Sequence, residues 1–150
     1  MSAESRADPY AGFRFLVEID SLVVAGFSEV SGLELEMATE EYPEGGVNHF
    51  THRLPGRFSH PSLVLKRGLS TSTELWDWVQ TTVQNVENGT VTRRNVRVIV
   101  LDSEGAEARG WEFLRAYPVK WTGPELGADQ TGVAIETLEL THEGLSREEL

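Results

Sequence analysis

The sequence contains no cysteine. Disulfide staples, thiolate nucleophiles and cysteine-ligated zinc are therefore excluded, while the redox compartment stays open. No run of about 18 apolar residues occurs, the length that a membrane-spanning helix requires. The opening stretch MSAESRADPYAGF lacks the apolar core of an export signal. Lysine is scarce, with only Lys66 and Lys120 among 13 basic residues. Catalytic signatures are missing too. No serine sits in a GxSxG elbow, and there is no P-loop or GxGxxG. The adjacent carboxylates Glu40 and Glu41 point to opposite faces of a strand, not across a cleft as a glycosidase pair must.

What is present is a chain of 150 residues, long enough for a single domain with a substantial core. Residues 1–9 are polar and expected to be mobile. The net charge of −11 argues against a protein that coats nucleic acid. Glutamates concentrate in residues 34–44 and near the C-terminus. Such runs mark a solvated face first and a docking surface for a basic partner second.

Residues 61–86, PSLVLKRGLSTSTELWDWVQTTVQNV, contain both kinds of regular structure. Leu63 and Leu65 alternate with Val64 and Lys66 as in a strand. Thr71 and Glu74 have capping-box spacing, and an amphipathic helix follows. Its apolar stripe is Leu75, Val79, Thr82, Val83 and Val86, flanked by Trp76 and Trp78. One tryptophan is expected in the core and the other at a rim or a neighbouring subunit. Asn88-Gly89 suits the left-handed turn that ends a helix. The formal glycosylation sequon Asn88-Gly89-Thr90 is read as this cap.

Strand patterns occupy most of the remainder. Phe13, Phe15, Val17 and Ile19 form one apolar face, and Asp20-Ser21 turns into a second strand. Residues 30–42 read as one long strand with an acidic side, in which Gly32 signals a bulge or close backbone approach. Residues 42–60, YPEGGVNHFTHRLPGRFSH, break the rhythm and are long for a connection inside a compact domain. They are expected to form an extended loop or hairpin arm packed on another molecule. Residues 93–102 and 106–117 read as paired strands around a turn. In the last strand the apolar positions shift face between Ile135 and Leu138, suggesting a bulge or a change of sheet. The expected fold is mainly β (α+β): a small antiparallel β-barrel of two packed sheets with one flanking α-helix.

Six ordered stretches carry a resemblance: DPYAGFRFLVEID, AGFSEVSGLELEMATEEYPEGG, HRLPGR with LVLKRGL, STELWDWV, YPVKWTGPEL and AIETLELTHEGL. Together, from Asp8 to Leu145, the chain resembles the tube proteins of contractile phage tails and related contractile injection systems. The resemblance implies a two-sheet β-barrel flanked by one helix. It also implies hexameric rings stacked into a hollow tube, with the secreted hexameric ring protein of type VI secretion as a structural relative. Implied partners are further copies of the chain, a contractile sheath protein, baseplate or spike and tube-terminating proteins, and a DNA or protein payload. Assembly in the cytoplasm into a phage virion or injection particle follows, with no cofactor, metal or enzymatic activity. Inter-subunit contacts are then expected from Tyr42, Phe50, Arg53, Leu54, Arg57, Phe58 and Trp78. The family places the helix outward, so Glu74 and Asp77 are expected to meet the sheath. A different reading is a stand-alone β-barrel binding a small ligand or metal through His49, His52 and His60. A third is a freely secreted ring that carries an effector.

Overall fold

The computed structural model describes residues 14–24, 26–42, 52–129 and 132–148. The first three strands are β1 (Phe15–Ile19), β2 (Leu22–Val24) and β3 (Phe27–Ser31). After them come β4 (Glu36–Tyr42), β5 (His52–Ser59), β6 (Leu63–Gly68) and the helix α1 (Glu74–Glu87). The chain closes with β7 (Arg94–Leu101), β8 (Glu107–Thr122), β9 (Ile135–Thr141) and β10 (Gly144–Glu148). All pairings are antiparallel.

The main sheet runs β2-β1-β7-β8-β9-β6-β3, with β10 added to β8. Strand β8 joins its two halves. Residues up to Ala116 pair with β7 and β10, and from Tyr117 onward the strand pairs with β9. At the changeover Arg115 adopts φ +53°, and its backbone N–H donates to the Asn95 side-chain oxygen at 3.0 Å. A left-handed residue within a strand costs energy, and it bends the strand so that the two halves face each other across one core. Val17, Ile19, Val96, Val98 and Phe113 come from one half, and Leu63, Leu65, Leu138 and Leu140 from the other. Leu75 and Trp78 of α1 complete that core.

Mainly β structure with one helix agrees with the sequence reading, but the barrel does not close. β2 and β3 end the sheet and are not hydrogen-bonded to each other. β2 has only three residues, too short to carry closure, and the helix supplies apolar cover instead. The long strand expected over residues 30–42 is split. Gly32 (φ +101°) lies so close to β6 that a Cβ would meet the Ser62 carbonyl oxygen at 2.3 Å. From there the chain leaves the main sheet, and among the described residues β4 pairs only with β5.

The face shift expected in the last strand is absent. β9 alternates regularly, with Glu136, Leu138 and Leu140 all on the buried side. Glu136 merely looks out of place in an apolar row. Its cross-strand partner is Arg67, which continues the buried row of Leu63 and Leu65. Arg67 Nε donates to Glu136 Oε1 at 2.6 Å, and Nη2 reaches Glu74 Oε2 and the Ser72 carbonyl, each at 3.3 Å. The predicted capping box is not formed. Glu74 serves Arg67 instead, while Thr73 Oγ1 donates to Asp77 Oδ2 at 3.0 Å. The helix ends as expected, with Gly89 at φ +81°.

Without Glu136 the buried Arg67 keeps only its 3.3 Å contacts to half-exposed Glu74 and the Ser72 carbonyl, and a buried charge so poorly compensated is costlier than an apolar side chain in its place. Glu136→Leu alone should therefore cost about 3–5 kcal/mol in denaturant unfolding. Arg67→Met combined with Glu136→Leu should recover most of that loss. Equal losses in the two variants would show that packing, not the stranded charge, is responsible.

Candidate assembly surfaces

Three surfaces stand out among the described residues. The first is the ribbon of β4 and β5. Met37 stands opposite Phe58 and Glu40 opposite Leu54. Phe58 is 64% exposed, and Met37, Leu54 and Arg57 are exposed as well. The register shift in this ribbon places two residues, Gly56 and Arg57, opposite Ala38. A Cβ on Gly56 would lie 2.9 Å from the Ala38 oxygen, so the bulge needs glycine there. Tyr42 and Arg53 lie on the ribbon, pairing with His52 and Glu41 in register. Phe50 and His49 fall outside the described residues. Of the stretch expected to form an arm, β5 is described; it pairs with β4, which precedes that stretch, and it brings Leu54, Arg57 and Phe58 together on one strand.

The second surface is the pair of free edges on the β8-β9-β6-β3 half. Among the described residues β3 pairs only with β6, and residues 117–122 of β8 pair only with β9. Two edges at opposite ends of a four-stranded sheet offer unpaired backbone donors and acceptors in both directions.

The third surface is the outer side of α1. Trp78, expected at a subunit contact, is a core residue at 2% exposure. Trp76 is the exposed one at 41%, edge-on to Trp121 at 4.8 Å. Val83 and Val86, expected inward, are also exposed. The helix is rotated so that Leu75, Trp78 and Thr82 face inward, with Thr82 Oγ1 donating to the Trp78 carbonyl at 2.8 Å. Arg94 stacks over the Trp78 ring at 5.5 Å, and Arg67 holds Glu74 at the N-terminal end. Both interactions anchor this rotation, and neither is visible from periodicity. The backbone N–H at Glu74 itself, and then Arg67, hold the Glu74 carboxyl below its ordinary pKa. Both acids expected to meet a sheath are exposed; Glu74 pairs with Arg67 of its own subunit, and Asp77 accepts from Thr73.

The histidine reading is not supported. His60 stacks on His142, with ring centroids 4.0 Å apart and planes at 17°, and Phe113 meets His142 edge-on at 4.9 Å. His142 Nδ1 lies 3.2 Å from the Gly144 carbonyl oxygen. Among the described residues no group of three His, Asp or Glu side chains is placed to hold a metal. The stack instead ties the root of the β4–β5 ribbon to the body, because His60 follows β5 directly.

The described residues thus form a two-halved β sheet with one flanking helix, unpaired strand edges and a separate two-stranded ribbon. A family profile described as T4-like virus tail tube protein gp19 matches residues 11–146. The chain belongs to that tail tube protein family. Its fold is shared by solved structures of low sequence identity. One is a chain of the extracellular contractile injection system PVC, in the sheath–tube complex in its extended state (TM-score 0.86, 23% identity, 99% of this chain and 97% of that one). Another comes from the tube-terminating cap of the anti-feeding prophage (TM-score 0.84, 20% identity, 100% of both chains). Hcp1 from Flavobacterium johnsoniae is more distant (TM-score 0.60, 16% identity, 89% of this chain and 93% of that one). No curated protein matches the chain.

The histidine stack predicts a pH response. Burial, and then the neighbouring His60, push the His142 pKa below its ordinary 6.5. A depressed histidine favours the neutral ring in the folded state. Its contribution to stability is complete above the unfolded value and is lost as pH falls below it. The urea midpoint should therefore drop between about pH 7.5 and about pH 6, and His142→Phe should flatten that drop. An unchanged slope in the variant would remove His142 as its source.

Proposed function

We propose that this chain is the structural subunit of hexameric rings that stack into the inner tube of a contractile tail or injection particle. The carrying observation is the pair of free edges on the β8-β9-β6-β3 half. A heterologous contact between unlike edges, repeated about an axis, satisfies both edges and closes a ring. Stacking requires a second contact, and the exposed Leu54, Arg57 and Phe58 of the ribbon, with Tyr42, Phe50 and Arg53 beside them in sequence, are the candidates. This role needs no turnover chemistry, metal or cofactor. The payload is DNA or protein in the lumen. Assembly takes place in the cytoplasm before the particle leaves the cell.

The partners are a sheath around the tube, a baseplate or spike at one end and a terminating protein at the other. Structures of related fold come from a sheath–tube complex, a baseplate, a cap and a sheath–tube terminator. The outward face of α1 carries Asp77 and Glu87 and no basic residue. A basic sheath surface would therefore be steered to it and held in register, although each exposed ion pair contributes only about 0–1 kcal/mol. Salt screens such a contact over roughly 8–10 Å, so sheath docking should weaken as salt rises.

Electron microscopy of the purified protein, alone and with its sheath, tests both statements. Six-fold rings or stacked tubes are expected from the protein alone. Asp77→Lys should keep the rings and impair sheathing. Glu74→Lys is the poorer probe because it also disturbs Arg67. A protein that stays monomeric at high concentration contradicts the tube role. Normal, salt-insensitive sheathing of the Asp77 variant contradicts the charge account.

A further inference from the structure

The chain has only two lysines, and both stand on the face of the β8-β9-β6-β3 half that turns away from the core. On β6, Leu63, Leu65 and Arg67 point into the core, and Lys66 between them points out. Lys120 of β8 pairs in register with Glu139, which alternates with buried Leu138 and Leu140. Each lysine meets a glutamate on the next strand. Lys66 Nζ lies 3.2 Å from Glu29 Oε2 of β3, and Lys120 Nζ lies 3.9 Å from Glu139 Oε2. Across the four strands the signs therefore run minus, plus, minus, plus through Glu29, Lys66, Glu139 and Lys120. An ammonium is a compact charge with three rotatable donors, so one lysine can serve carboxylates on both flanking strands.

The alternation stops at the two free edges, and it stops on opposite signs. Glu29 at the β3 edge has 58% of its side chain exposed, and Lys120 at the β8 edge has 67%. Glu125 and Asp129 line the same cleft as Glu29 and Lys66, so that end of the face carries an excess of acid.

Strand direction fits the same junction. β8, β9, β6 and β3 alternate in direction, so β3 runs antiparallel to β8. Rotation about a ring axis preserves direction along the axis and keeps the free face on one side. β3 of one copy thus meets β8 of the next as an ordinary antiparallel pair. A slip of one residue would turn the charged rows to opposite faces. In the subunit Ser31 falls in the row of Glu139 and Lys120, and Glu29 in the row of Lys66 and Thr122. A two-residue stagger at the junction, of the kind that closing a barrel requires, sets Lys120 opposite Glu29.

We infer that Lys120 of one copy pairs with Glu29 of the next across an antiparallel β8–β3 junction. The alternating signs then close into an unbroken belt around the ring. Joining like edges, β3 to β3 or β8 to β8, sets like charges beside each other, which disfavours two-fold dimers against rings. This inference rests on the tube-subunit reading and names the residue pair and the register of its edge contact.

Zero-length carbodiimide coupling of the assembled, unsubstituted protein tests it, because Lys66 and Lys120 are the only lysines. An amide forms only where an ammonium touches a carboxylate. Mass spectrometry of the multimer bands should find a link between Lys120 and Glu29. Within one chain these residues are three strand spacings apart, about 14 Å, so that link joins two copies. Lys120→Glu should keep the unfolding midpoint of the parent and raise the concentration needed for rings by about fivefold or more. Adding Glu29→Lys should recover a large part of that loss. Rings in which Lys120 couples to no Glu29, or a double reversal that assembles as poorly as Lys120→Glu, overturn the inference and leave the tube reading standing. Failure of the unsubstituted protein to form rings overturns both.

Discussion

One buried cation organises the subunit. Arg67 sits at the end of an apolar row on β6 and is held from two directions, by Glu136 of β9 inside the core and by Glu74 at the start of α1. Its guanidinium also lies 5.8 Å from the ring of Phe27 on β3. Three strands and the helix thus converge on one side chain. Apolar packing alone is non-directional and would tolerate several helix rotations. A buried charge that must find its partners would not, because a misplaced helix leaves Arg67 short of one.

That constraint shapes the surface. With Glu74 drawn toward Arg67 and Trp78 capped by Arg94, α1 shows Trp76, Val83 and Val86 to solvent. Apolar residues left outside a folded domain in such number are expected where further subunits will cover them. The ribbon and the free edges fit the same pattern. Among the described residues the core is closed within one chain, while strand edges are left unpaired. A second charge network stitches the opposite half, where Arg97 bridges Glu18 and Glu148 and so binds β1, β7 and β10 together. Burial and the neighbouring Glu148 raise the Glu112 pKa beside it.

Local chemistry was legible wherever it repeated. Alternation in residues 63–66 and 94–101, the turn at Asp102, the helix and its Asn88-Gly89 end all match the structure. At the turn, Asp102 Oδ1 accepts from the backbone N–H groups of Glu104 and Ala106. Long-range pairing was not legible. Glu136 read as a fault in register because its partner lies 69 positions away. Trp78 and Trp76 exchanged roles because helix rotation depends on arginines from other strands. β10 escaped notice because GLSRE carries a single apolar side chain, Leu145, which packs on the core. The corner within β8 has no glycine to announce it, since Arg115 adopts the left-handed conformation itself. A signal for the ion pair did exist: Arg67 and Glu136 each fall in phase with two buried leucines, and opposite charges in two core rows call for pairing.

The claim that matters most is that neighbouring copies complete the free edges of the sheet. Amide hydrogen exchange, compared between dissociated and assembled protein, reads it strand by strand. The account predicts strong new protection in Phe27–Ser31 and in residues 117–122 on assembly, with little change in the central strands β6 and β9, already paired on both sides. Assembled rings in which both edges exchange as fast as in the monomer would contradict it.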